Sequence, residues 1–304
     1  MLIRRKSILL VLLAALLTAA CGGGGDEPVS ENEAGGGTEC RKPFEGAFTD
    51  VEAYPIFANS ETAVGKNRFL VGLQNTNDAP IASPEIDMSI EFFDLTSCPA
   101  EPTASEETEF FWTIKPHVGL YRTTATFDKP GVWGAEVTVS GGGVEESVKG
   151  SFEVLPESST PALGSEPPAS DSPTADDVKD LSEISTDQNP DPSFYEVSIA
   201  DALKTGEPFV VVFATPEFCQ SQTCGPTLDI VKSVAKEFPK TTFIHVEPYV
   251  LPADPSALKP APTGVEWGLP SEPWVFVIDD KGKVASKYEG AIAPEELTEA
   301  LGKF

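Results

Sequence analysis

Cys219 and Cys224 are the residues of this 304-residue chain whose type and spacing invite chemistry. They lie in the stretch Phe209-Val-Val-Val-Phe-Ala-Thr-Pro-Glu-Phe-Cys-Gln-Ser-Gln-Thr-Cys-Gly-Pro226, which reads as buried strand, loop and helix start. Two thiols at such a junction can pass between dithiol and disulfide, and the unpaired N–H groups of a helix N-terminus favour the thiolate that attacks. Helical positions five apart rise about 7.5 Å and point roughly 140° apart, beyond the reach of a disulfide. The pair therefore belongs to a loop, and Pro226, of a type favoured at the first helical position, sets the helix start after it. Cys224 then sits at the helix N-terminus, while Cys219 directly follows the strand and Phe218. Both are candidates for the nucleophile, and together they form the candidate catalytic pair.

The elements that must hold this pair occupy residues 194–304. Ser198 suits a helix cap for Ile199–Lys204, Gly206 stops that helix, and Leu228, Ile230, Val231, Val234 and Phe238 draw a helical stripe after the cysteines. Thr242–Glu247 reads as a strand, Trp274–Asp279 and Val284–Tyr288 as a hairpin around Asp280-Lys-Gly-Lys, and Pro294–Leu301 as a last helix. The order α-β-α-β-β-β-α calls for one mixed sheet with helices on its faces.

Four places in this half resemble the thioredoxin family: the strand running into Phe218-Cys219, the Gly-Pro that opens the helix, Pro273 directly before an apolar strand, and Gly290-Ala-Ile-Ala-Pro-Glu-Glu-Leu297. The resemblance implies an α/β thioredoxin-like fold, a cis Glu272-Pro273 bond, and backbone at Glu272 and Pro273 available to a substrate's extended chain. It also implies thiol–disulfide exchange, here on the thiols or disulfides of exported proteins. Two departures stand against ordinary activity. Thioredoxins have two residues between their cysteines where this chain has four, and Phe209–Phe213 carries no buried acid to assist proton transfer. Slow or specialised exchange would follow. The alternative is a non-catalytic binding or scaffolding protein in which Cys219–Cys224 is a structural disulfide. His245 lies mid-strand, where a satisfied ring nitrogen is the expectation, and His117 has no cluster near it, so neither is assigned to a metal. No cofactor motif is present.

Residues 40–155 read as all-β. Phe69/Val71/Leu73, Ile86/Met88/Ile90/Phe92, Tyr121/Thr123/Ala125/Phe127 and Trp133/Ala135/Val137/Val139 recur at period two between turn signals such as Asp128-Lys-Pro-Gly131. The expectation is an antiparallel sandwich, and Arg68–Leu95 with Gly131–Thr138 resembles bacterial extracytoplasmic immunoglobulin-like modules. Residues 156–193 hold seven prolines, nine acids and one lysine, and read as a disordered linker and spacer.

The first twenty residues read as a signal peptide: Arg4-Arg5-Lys6, an apolar run from Ile8 to Leu17, then small residues. Leu17-Thr18-Ala19-Ala20-Cys21 resembles a bacterial lipoprotein cleavage box, with Thr18 where that box usually has Leu. The resemblance implies lipidation of Cys21, a flexible tether over 21–39, and residence at the extracytoplasmic face of the cell membrane; ordinary secretion is the other reading. Export favours disulfides. With Cys21 set aside, the division into domains pairs Cys40 with Cys98 and Cys219 with Cys224, one of three possible pairings. The formal net charge of −27 repels phosphate backbones, which argues against nucleic acid as a partner.

Overall fold

A computed structural model describes residues 39–304 apart from Ala47 and Thr49. Cys21, the signal peptide and the tether up to residue 38 lie outside the described residues. The described chain is rich in β structure, with three four-stranded sheets and a few short helices. Among the described residues no helix is long and apolar enough to cross a membrane.

Eight strands build the first two sheets: β1 (Ala53–Phe57), β2 (Gly65–Asn75), β3 (Ile86–Asp94), β4 (Ala104–Glu107), β5 (Glu109–Ile114), β6 (Val118–Phe127), β7 (Gly131–Gly141) and β8 (Val144–Val154). Their orders are β1-β2-β6-β5 and β4-β3-β7-β8, antiparallel throughout. The two sheets share one apolar core in which Phe69, Val71 and Leu73 meet Ile90, Phe92, Tyr121, Phe127, Trp133 and Val137. These are the period-two residues, and side chains of this size each contribute about 1.5–3 kcal/mol on burial. Cys40 and Cys98 form a disulfide with Cα atoms 5.7 Å apart, tying the N-terminal arm to the loop after β3. Buried Asp94 organises that loop by accepting from the Thr96 N–H at 2.9 Å and pairing with Lys129 at 2.6 Å.

The third sheet has the order β10-β9-β11-β12, with β9 (Phe209–Phe213), β10 (Thr242–Val246), β11 (Trp274–Ile278) and β12 (Val284–Glu289). β9 runs parallel to β10 and antiparallel to β11, and β11–β12 is a hairpin. All five residues of β9 and of β11 are buried, because both faces of the sheet are covered. Helices α2 (Cys224–Ala235) and α4 (Pro294–Leu301) pack Leu228, Val231, Leu297 and Leu301 against Val210, Val212 and Val275. On the opposite face, α1 (Ile199–Thr205) and Trp267, which follows the short helix α3 (Pro262–Glu266), cover Val211, Phe213 and Phe276. The first helix is capped by Ser198, whose side chain accepts from the Asp201 N–H, and ends at Gly206 in the left-handed region.

Residues 156–193 correct the spacer expectation. They form an ordered strap laid over the third sheet. Gly164 N–H donates to Val284 O and Val284 N–H to Ser165 O, both close to 2.9 Å, so the strap pairs with the open edge of β12. Buried Ser170 accepts from Trp267 Nε1 at 3.2 Å, Ser172 accepts from the Ile199 N–H at 3.0 Å, and Leu181 and Ile184 join the α2-side core. At one crossing the fit is close. Gly268 has φ +61°, and a Cβ there would lie 2.1 Å from Ser159 O.

The first two sheets also dock on the C-terminal half. Leu70 and Phe111 pack against Ala291 and Ala293. Beside them Arg68 donates to Glu289 O and Ala291 O, and pairs with Glu296 at 2.6 Å; Arg122 meets the same carboxylate at 2.9 Å. Burial alone would raise the Glu296 carboxyl, but the two guanidinium groups hold it below the usual carboxylate range.

Candidate functional site

The site begins where β9 ends. Its strand is wholly apolar, so the first polar groups appear at Thr215, and Thr215 O accepts from the Cys219 N–H at 3.1 Å to close a turn over Pro216-Glu217-Phe218. Gln222 adopts φ +60° and folds the loop back, so that Cys219 and Cys224 form a disulfide with Cα atoms 6.0 Å apart. The helix starts earlier than the position of Pro226 implies. Cys224 is its first residue and Thr223 its N-cap. Proline is accommodated in the first turn because the first four helical N–H groups have no intrahelical acceptor to lose.

The two sulfurs have unlike surroundings. Cys224 is fully buried in the core with Val210, Val212 and Leu228, whereas Cys219 is half-buried at the rim. The Cys224 N–H, at the helix N-terminus, donates to Cys219 Sγ at 3.3 Å. Ser221 Oγ lies 3.2 Å from the same sulfur and 2.8 Å from Thr223 Oγ1. Amide, hydroxyl and helix dipole thus converge on Cys219, the arrangement that stabilises a thiolate there once the disulfide opens.

Behind the loop lies a buried polar network. His245 hydrogen-bonds Ala214 O through Nε2 at 2.9 Å and Tyr195 Oη through Nδ1 at 2.6 Å, and Tyr195 also bonds Ser185 at 2.9 Å. Burial pushes the His245 pKa down to about 4, so the ring is neutral with both nitrogens used. Among the described residues no group of three or more His, Cys, Asp or Glu is placed to hold a metal ion. Glu247 follows β10 and is buried; Thr186 of the strap donates to it through N–H at 3.0 Å and Oγ1 at 2.7 Å. Burial raises the Glu247 carboxyl above its ordinary range against those hydroxyl contacts. Thr186 Oγ1 also accepts from the Glu217 N–H at 3.4 Å, which joins the strap to the cysteine loop.

The Glu272–Pro273 peptide is cis. Trp274 pairs with Phe213, so Glu272 and Pro273 lie at the same end of the sheet as the cysteine loop. Pro273 has no N–H, and its carbonyl accepts from the Gly290 N–H at 2.8 Å. Thr227 of α2 in turn lies 3.4 Å from Gly290 O. Burial raises the Glu272 carboxyl, which accepts from Tyr249 at 3.1 Å, and the Tyr249 hydroxyl is pushed up to about 12 by burial and by that carboxylate. Of the residues singled out from sequence, Cys219, Cys224, Glu272 and Pro273 thus gather at one end of the third sheet. Cys40 and Cys98 belong to the first two sheets. Thr186, Ser221 and Glu247 were missed, since nothing in their local sequence sets them apart from ordinary surface residues.

No family model matches the chain, and no curated protein matches it. Among solved structures, a DUF4426 family protein from Pseudomonas aeruginosa is 16% identical over 37% of this chain and 97% of its own, with a TM-score of 0.25. A β-glucuronidase from Parabacteroides merdae is 14% identical over 38% of this chain and 15% of its own, at 0.24. A putative glycoside hydrolase from Bacteroides vulgatus is 16% identical over 38% and 23%, at 0.21. Likenesses at these TM-scores carry no argument about fold or activity.

Proposed function

We propose that this protein carries out thiol–disulfide exchange on exported proteins, through Cys219 and Cys224 of a thioredoxin-like domain held at the extracytoplasmic membrane face by lipid on Cys21. The observation that carries this reading is the asymmetry of the pair: a half-buried Cys219 whose sulfur is supplied with an amide and a hydroxyl, closed onto a fully buried Cys224. Reduced Cys219 attacks a client disulfide as thiolate, forms a mixed disulfide and releases one client thiolate. Cys224 thiolate then attacks Cys219 Sγ, which frees the second client thiolate and closes Cys219–Cys224. Two electrons move from the pair to the client, and the same steps run backwards oxidise a client dithiol.

The sheet order and orientations, helices on both faces and a proline before β11 support the thioredoxin-like reading. Lettered A, B, C, C′, D, E, F and G in chain order, β1–β8 form ABED and C′CFG sheets, which supports an immunoglobulin-like sandwich for the first half. Complete burial of Cys224 favours a second reading, a binding or scaffolding lipoprotein in which both disulfides only stabilise.

Titration of the full chain against a glutathione redox buffer tests the choice. Exchange requires Cys219–Cys224 to be reduced within the glutathione range while Cys40–Cys98 stays closed. A Cys219–Cys224 bond that no glutathione ratio opens would leave the binding reading. The anchor is tested by intact mass and detergent partitioning; an unshifted mass and an aqueous partition overturn it.

A further inference from the structure

On the reading that Cys219 exchanges with clients, we infer that the cavity between the strap and α2 receives the client chain, and that it selects an extended segment with basic residues beside its cysteine. The cavity has a volume of about 500 Å³. One wall is the strap at Thr186–Asn189, the other is α2, and Pro216 and Glu217 lead from it to Cys219. The residues that α2 contributes are Gly225, Leu228, Asp229 and Lys232. Their spacing of i, i+3, i+4 and i+7 places them on one face of the helix. That face starts at the residue after Cys224.

The other flank of α2 is taken. Thr227 meets Gly290, and the loop that follows is backed by Leu70, Phe111 and the Arg68–Glu296 pair of the first two sheets. A chain approaching Cys219 from that side meets the docked sheets. From the strap side it meets an open groove.

Charge decides what the groove accepts. Its charged lining is Asp187, Glu217, Asp229 and Lys232. Lys232 pairs with both Asp187 at 2.8 Å and Asp229 at 3.2 Å and donates to Asn189 O at 3.3 Å, so three acids against one lysine leave the lining with two negative charges in excess. Glu217 is exposed two residues before Cys219, and among the described residues no ion pair joins it. An acidic groove leading to a sulfur raises the encounter rate of cationic segments and repels acidic ones.

The test uses the full chain and two short peptides, each with one cysteine in mixed disulfide with glutathione, flanked by lysines in one and by glutamates in the other. The reduced protein should exchange with the lysine peptide about tenfold faster at low ionic strength, with the ratio shrinking as salt is added. Glu217→Gln/Asp229→Asn should collapse that ratio, whereas Glu145→Gln/Glu153→Gln, the same charge change on β8, should preserve it. Equal rates for the two peptides, or an equal fall in both variants, would overturn the groove while leaving exchange intact. Hydroxyethyl disulfide reports exchange without a peptide. If it too fails to react, the exchange reading falls. Fluorescence anisotropy of serine versions of the peptides on the oxidised chain then decides whether the groove binds basic segments at all, and failure of the lysine version to bind would overturn it.

Discussion

The two disulfides differ in the span of chain they close and in what surrounds their sulfurs. Cys40–Cys98 spans 58 positions and fastens an arm to the rim of the first two sheets, while Cys219–Cys224 spans five and lies at the strand–helix junction of the third. Loop-closure entropy grows with the logarithm of the span, so the first constrains the unfolded chain far more than the second. The second instead joins a buried Cys224 to a half-buried Cys219 with donors aimed at the Cys219 sulfur. On the proposed reading the first bridge acts through the length of chain it closes, and the second through the donors around Cys219 Sγ.

Removing each bond tests that distinction. Cys40→Ser/Cys98→Ser should cost about 4 kcal/mol by the loop-entropy relation, read as a lowered denaturation midpoint with exchange retained. A loss no larger than that at the second disulfide would break the comparison.

The next largest effect belongs to the docking of the two halves. Arg68→Ala leaves Glu296 buried without its main partner and should cost about 3 kcal/mol, read by chemical denaturation. Because the Glu296 pKa is depressed on folding, its contribution is present above the unfolded carboxylate pKa and lost as pH falls through the folded one. The Arg68→Ala penalty should therefore fade in acid, and a penalty constant with pH would contradict the assignment.

His245 acts over a higher window. Its pKa falls from 6.5 unfolded to about 4 folded, so the unfolded chain takes the proton first. Stability is then lost as pH drops from 6.5 toward 4, by about 3 kcal/mol at the bottom of that window. Glu247, raised by burial, works in the opposite sense: it withdraws stability as pH rises above the unfolded carboxylate value. Replacing His245 with Gln should flatten the acid slope in thermal melts across that window, and an unchanged slope would assign it to other groups. The smallest effect is that of Cys219→Ser/Cys224→Ser, about 2 kcal/mol for its five-residue span, together with complete loss of exchange. Exchange that survives this variant would remove the pair from the mechanism.

What could be read from the amino-acid order followed from apolar patterning. The period-two runs of β2, β3, β6 and β7 and the buried stretch of β9 appear where patterning puts them, because burial of such side chains dominates their placement. The docking of the halves is not legible in the same pattern: period two makes Phe69, Val71 and Leu73 one face of a strand, whereas Phe69–Leu73 is buried throughout because the other face is covered too. The strap was illegible for a physical reason. Alongside the partly buried Leu181 and Ile184, its buried anchors are the hydroxyls of Thr160, Ser170, Ser172 and Ser185, which are held by particular acceptors and donors. Composition counts area and is blind to such partners. The helix start at Cys224 was missed in the same way, since a proline rule fixes the first turn but not which residue of that turn it occupies.

Gly268 turns the strap into something a genome can report. With φ +61° and Ser159 O in the space a side chain would need, no L-residue fits there while the strap lies in place. Related chains that keep Ser159 at this crossing are bound to keep the glycine, and chains that lose the crossing shed the clash but still need a residue that adopts φ +61°. One codon therefore marks, in any descendant sequence and without a structure, whether the start of the strap can still cross at this turn.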